Sequence, residues 1–163
     1  MADVTVRVDG LKQLEQAIDE LTVDLAKRVV RGALRDAARP IVAGARTRAP
    51  VLASPHPYRV PGTVRRNIGV FNSKQARREG MVGVYVRVRR LSKGAITAFK
   101  RATGKAGRQN PFDPFYWWFL EFGTKHIAPR RYLSGAFQAA QAQTLAIFER
   151  RIGERIAKAN RRK

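Results

Sequence analysis

GLKQLEQAIDELTVDLAKRVVRGALRDAARPIVAGARTRAP, residues 10–50, sets the frame for the rest of the chain. Leu11, Leu14, Ile18, Leu21 and Leu25 recur at steps of three and four, forming one apolar stripe with Glu15, Asp19 and Glu20 off it. The pattern continues through Val29, Ala33, Ala37, Ile41 and Ala45 to Ala49-Pro50. Thr22 is a residue type that caps a fresh start, so the stretch reads as one long helix or as two with a break near 22. Pro40 lacks an N–H and crowds the preceding turn, which predicts a kink. Small residues (Gly32, Ala33, Ala37, Ala38, Gly44 and Ala45) leave room for a neighbouring element to approach closely.

Working outward, Val4, Val6 and Val8 alternate with Thr5 and Arg7, a short strand that ends at Asp9-Gly10. Four prolines in PVLASPHPYRVP mark residues 50–62 as an irregular loop. TVRRNIGVF, 63–71, then reads as a strand. GMVGVYVRVRR reads as a better one, with Val82, Val84, Val86 and Val88 on one face and Tyr85, Arg87 and Arg89 on the other. Residues 72–80 supply the hairpin loop between them. Residues 90–111 carry six bases and no acid, a basic mobile excursion in which ITAFKRA could form a helical turn. Leu133, Ala136, Phe137, Ala140, Leu145, Phe148, Ile152 and Ile156 trace a C-terminal helix, with a frayed basic tail over 158–163. The expected fold is α+β in a single domain, 1–163: a small antiparallel sheet packed with a long, kinked or broken N-terminal helix and a C-terminal helix.

Charge is the outlier in the composition. The 163 residues carry a formal net charge of +21. Six acids (Asp3, Asp9, Glu15, Asp19, Glu20, Asp24) against two bases (Arg7, Lys12) make the first 25 residues −4, which leaves +25 on the remaining 138. Such polarity suits a subunit that docks an acidic end on a basic neighbour, or one that turns a basic side to nucleic acid. A solvated arginine-rich surface gives the same numbers. No cysteine is present, so disulfides, thiolate metal sites and a cysteine nucleophile are excluded. No apolar run reaches membrane-spanning length and no secretory leader opens the chain, so a soluble protein made in a cytoplasm is expected, with no membrane partner.

Catalytic chemistry finds little support. His56 and His126 lack the spacing of a helical metal pair, and no cluster of three or four ligands is offered. Asp113, Glu121 and Lys125 approach a nuclease pattern, but E-F-G-T-K sets the lysine two positions late. Gly104-Lys105 misses a phosphate loop, because Phe99 stands where glycine is needed and Ala106 replaces Ser/Thr. We therefore expect no enzyme, no metal and no cofactor. Nucleic-acid binding is the rival reading: Lys93, Lys100, Arg101, Lys105 and Arg108 are candidates for facing DNA, through backbone charge without sequence reading.

The densest stretch is WWFLEFGTKHIAPRRYL, 117–133. Neighbours on a helix point in different directions, so Trp117, Trp118, Phe119 and Phe122 cannot all face one small core. At least one tryptophan is then expected in a subunit interface. Gly123 is expected in a positive-φ turn that closes the aromatic helix. Glu121 reads as a structural carboxylate that accepts backbone N–H groups or pairs with Arg130 or Arg131, or else as a plain exposed glutamate.

FYWWFLEFGTKHIAPRRYLSGAF, 115–137, resembles the signature of the gene-product-ten-like neck or tail-completion proteins of long-tailed phages. Glu121-Phe122-Gly123-Thr124 match directly; Ala128-Pro129-Arg130-Arg131-Tyr132-Leu133 match with altered order. GLKQLEQAIDEL, ALRDAARPIVAGARTRAP and PGTVRRNI resemble earlier family segments in the same order, whereas PVLASPHPYRV and 90–111 depart from it. The resemblance implies a non-enzymatic virion protein, assembled in the bacterial host cytoplasm. It also implies a homo-oligomeric ring, hexameric in the family, that joins or caps the tail at the head–tail junction. Partners would be neighbouring connector and tail-tube proteins, with nonspecific contact to DNA in the channel. Trp117, Trp118, Phe119, Glu121, Phe122, Gly123, Thr124, Arg130, Arg131 and Tyr132 would form the docking element.

Overall fold

A computed structural model describes Gln16, Ile18, residues 22–54 and residues 56–161. The expected strand at 4–8 lies outside these residues, as does the end of the basic tail. The N-terminal helical stripe divides into α1 (Val23–Ala37) and α2 (Arg39–Arg48). Pro40 sits in the first turn of α2, where a missing N–H costs least, and its inability to donate to the carbonyl four residues back bends the pair. The expected Pro40 kink is present, and of the two readings at Thr22 the break is the one found: Thr22 holds extended backbone immediately before α1, although its hydroxyl makes no capping bond.

The C-terminal helix, α7 (Tyr132–Asn160), spans 29 residues and runs back along both. Two buried clusters sit on this seam. One joins Val29 and Ala33 of α1 to Ile152, Ile156 and Ala159, with Ile18 packed against it. The other joins Ala45 and Ala49 of α2 to Tyr132 and Ala136, and adds Val64, Ile68 and Val88. Small residues set the approach distance, since a Cβ on Gly44 would lie 3.5 Å from that of Ala136. Gly32 similarly leaves the space that Arg155 fills to reach Asp36, with its Nη2 2.7 Å from Oδ2. Arg39 closes the other carboxylate oxygen at 3.0 Å.

The remaining elements fill the end near Pro50. TVRRN, expected as strand, is instead a short helix, α3 (Thr63–Asn67). Its Val64 packs with Ile68, the four-residue step of a helix, and Asn67 Nδ2 donates to the Thr63 carbonyl at 2.8 Å. The strand begins only at β1 (Ile68–Asn72) and pairs antiparallel with β2 (Val84–Val88), Ile68 opposite Val88 and Asn72 opposite Val84. Val84, Val86 and Val88 face inward and Tyr85 and Arg87 outward, as alternation requires. The turn between the strands carries a further short helix, α4 (Lys74–Arg78), because Ser73 Oγ accepts from the Ala76 N–H at 3.1 Å. In the basic stretch, where at most a helical turn was expected, Ser92 caps an eleven-residue helix, α5 (Lys93–Thr103), closed by Gly104 at φ 67°.

The Asp36 pair yields a prediction. Burial alone would raise the Asp36 carboxyl, but the Arg155 hydrogen bond and the charges of Arg155, Arg39 and Arg151 outweigh it and hold it below its ordinary 3.8. A depressed carboxylate contributes stability above its unfolded pKa and loses it as pH falls through the folded one. Asp36→Asn is expected to cost about 1–2 kcal/mol at pH 7. The gap to the parent chain should narrow in urea unfolding below about pH 3.5, as the parent carboxylate itself protonates.

Candidate subunit interface at the aromatic turn

Residues 117–122 form a short helix, α6 (Trp117–Phe122), and its periodicity sorts the aromatic run into two faces. Trp117 and Leu120 turn inward against the cluster around Ile68 and Tyr132, followed by Glu121. Trp118, Phe119 and Phe122 turn outward, 53%, 43% and 56% exposed. Trp118 and Phe122, one turn apart, pack with ring centroids 4.2 Å apart and planes tilted by 46°, and Trp117 meets Trp118 edge-on at 5.4 Å. Ile127, in the loop that follows, is also exposed.

What holds this knob is Glu121, 2% exposed. Its Oε2 accepts the Leu133 N–H at 2.8 Å; its Oε1 accepts the Ser134 N–H at 2.9 Å and the Ser134 hydroxyl at 2.7 Å. These are first-turn N–H groups of α7, which have no partner inside their own helix. No side chain at the helix's own N-cap position, Arg131, performs this task. The negative charge also lies at the positive end of the helix dipole. Glu121 is therefore a capping residue supplied from another helix, and the expected alternative of pairing with Arg130 or Arg131 does not occur. Those residues contribute their backbones: Arg130 N–H donates to Leu120 O at 2.8 Å and Arg131 N–H to Glu121 O at 3.2 Å.

The loop between α6 and α7 is shaped by three further constraints. Gly123 has φ 78°, as expected, and a Cβ there would come within 2.7 Å of the Ile127 carbonyl oxygen. Thr124 Oγ1 accepts the N–H groups of His126 and Ile127 at 3.2 and 3.1 Å. Arg131 adopts φ 45° and ψ 38°, in the left-handed region that residues other than glycine enter uncommonly. Tyr132 is fully buried, its hydroxyl donating to the Trp117 carbonyl at 3.4 Å. Burial, with the nearby Glu121 carboxylate and Tyr116, pushes its phenol far above the ordinary range. Burial likewise raises Tyr116, against the opposing pull of Arg59 and Arg66.

The expected docking set therefore separates. Glu121, Tyr132 and the inward half of Trp117 lie inside the chain and support the surface rather than form it. Trp118, Phe119, Phe122, Thr124, Arg130 and Arg131 are exposed on it. Lys93, Lys100, Arg101, Lys105 and Arg108 are all exposed on α5 and the turn after it, with Lys93 and Lys100 two helical turns apart on one face. Asp113, which sequence reading weighed only as a nuclease carboxylate, is buried and receives Arg90 Nη2 at 3.2 Å and the Leu91 N–H at 3.4 Å. It anchors the start of the basic stretch. Among the described residues no three His, Cys, Asp or Glu side chains gather as metal ligands. No described helix is long and apolar enough to cross a membrane.

Residues 12–123 match the family model described as "Bacteriophage HK97-gp10, putative tail-component". The chain belongs to this family. The match takes in α1 through α6 and ends at Gly123, so it includes Glu121 and leaves out the helix that Glu121 caps. Searches of curated proteins and of solved structures return no match. The family is one of phage tail-component structural proteins, which places the chain in the virion among tail and head proteins and accords with a role other than catalysis.

Loss of the cap should be costly. Glu121→Ala orphans two part-buried N–H groups and a hydroxyl, and is expected to lower stability by about 1–3 kcal/mol. Glu121→Gln should cost nearly as much, because its amide NH2 would confront one of those donors. Ser134→Ala should cost about 1 kcal/mol. Chemical unfolding of the three variants measures the order.

Proposed function

We propose that this tail component is a ring-forming neck or tail-completion subunit, of the tail-terminator type, that joins or caps the tail at the head–tail interface. The ring follows the six-fold arrangement that the resemblance of residues 115–137 implies. The observation that carries the reading is the outward face of α6. Three large aromatic side chains stand in solvent on a short helix fixed at its C-terminal end by Glu121 and by Gly123. Clustered exposed aromatics with a basic margin at Arg130 and Arg131 are the composition of an interface centre and its rim. Rigid support lowers the ordering cost of docking.

A closed ring needs two different complementary faces on each copy. The acidic first 25 residues and the basic remainder supply opposite charge on one chain. Partners are then further copies of the chain and adjacent connector and tail-tube proteins.

Trp118→Ala/Phe122→Ala should leave the fold intact, since neither side chain enters the core, and should abolish the oligomer. Interface aromatics of this kind contribute about 2 kcal/mol or more each, roughly thirtyfold in affinity. Circular dichroism and light scattering on the same samples separate the two effects. A variant that keeps the parent's mass in solution shows that this face is not the interface.

A further inference from the structure

The two edges of the β1–β2 hairpin are treated differently, and the difference assigns an attachment site. Arg89 N–H donates to Asn67 O, and Ser73 N–H to Gly83 O, both at 2.8 Å. In an antiparallel ladder those bonds fix the parity. Gly69–Arg87 and Phe71–Tyr85 exchange bonds, while Ile68, Val70 and Asn72 on β1 and Val84, Val86 and Val88 on β2 direct their N–H and C=O groups outward. On the β1 side these groups are engaged. Arg46 Nη2 donates to Ile68 O at 2.8 Å, and Arg35 Nη1 reaches Val70 O at 3.5 Å and Asn72 Oδ1 at 3.4 Å. On the β2 side, among the described residues, no backbone or side-chain group takes that role and no further strand lies beside β2. An unpaired strand edge is a template for another strand.

We propose that the outer edge of β2 accepts residues 4–8 of a second copy of this chain. The match is in the sequence: Val4-Thr5-Val6-Arg7-Val8 repeats Val84-Tyr85-Val86-Arg87-Val88 at four of five positions. Added beside β2, its valines continue the inward face formed by Val84, Val86 and Val88, and Thr5 and Arg7 join Tyr85 and Arg87 on the outer face. A strand given by one copy and an edge offered by the next are different surfaces, which makes the contact head-to-tail, as a closed ring requires. Charge at the strand ends favours the same exchange, because Asp3 and Asp9 flank the donor strand and Arg89 and Arg90 follow the acceptor. The inference rests on the ring reading above and names a contact separate from the aromatic face.

The absence of cysteine makes the test clean. Thr5→Cys is combined with Tyr85→Cys, and separately with Arg87→Cys, in the full chain, and each is oxidised under mild conditions. Tyr85 and Arg87 lie on the outer face, so neither of these substitutions disturbs the core. The expected product is a ladder of disulfide-linked multimers on a non-reducing gel. Mixing single-cysteine Thr5→Cys and Arg87→Cys chains should give a linked pair, well above the yield from either alone. An intrachain disulfide in a single-chain band, or no disulfide in both combinations, overturns the proposal. Light scattering of the parent chain separates the outcomes: an oligomer without these disulfides removes only the strand exchange, whereas a monomer removes the ring reading itself.

Discussion

The carboxylate of Glu121 is the constraint on which the packing around Tyr132 and Ile68 depends. A helix such as α7 presents several unpaired N–H groups at its start, and here one face of that start, Tyr132 and Ala136, packs against the sheet and α2. One carboxylate from a neighbouring helix satisfies two of them and a serine hydroxyl together. That single arrangement fixes α6 against α7, fixes which aromatic residues face inward, and closes the loop between them. Its charge is stabilised by the helix terminus as well as by its hydrogen bonds. Tyr132, buried at the first position of α7, roofs the same junction.

From this junction the remainder follows by packing. α7 runs along α1 and α2, whose bend at Pro40 lets one straight partner meet two segments through small residues. Among the described residues the sheet has two strands, which contribute few ladder bonds and serve as a cover for the cluster around Ile68 and Val88. Arginines that would otherwise repel one another are distributed onto structural acceptors, Asp36, Asp113 and the carbonyls of β1. Much of the net charge nonetheless remains on the surface, where a virion subunit meets neighbours.

Much of the fold was legible in the sequence because its signals are periodic. The helical stripe from Val23 to Ala49, the Pro40 bend, the inward valines of β2 and the C-terminal helix all follow from spacing. TVRRN misled because a five-residue helix offers one turn of periodicity, which β-branched residues and a following true strand disguise. At residues 93–103 the absence of acids suggested a loop, whereas the Ser92 cap and the Ile96–Phe99 spacing carried the helical signal. At the candidate site the role of Glu121 as an acceptor of backbone N–H groups was anticipated among alternatives. Its partners, Leu133 and Ser134, were not, because a cap supplied from twelve residues away leaves no local motif. Which tryptophan faces solvent depends on where α6 starts, a phase that composition does not record.

The central claim is that the face carrying Trp118 is buried when the subunit assembles. Trp117→Phe leaves Trp118 as the sole tryptophan of the chain. Acrylamide quenching of its fluorescence, followed alongside light scattering through a dilution series, reads that burial directly. The account predicts an accessible indole in the dilute single chain and a shielded one as the oligomer forms. An indole quenched equally well in the assembled state would contradict it.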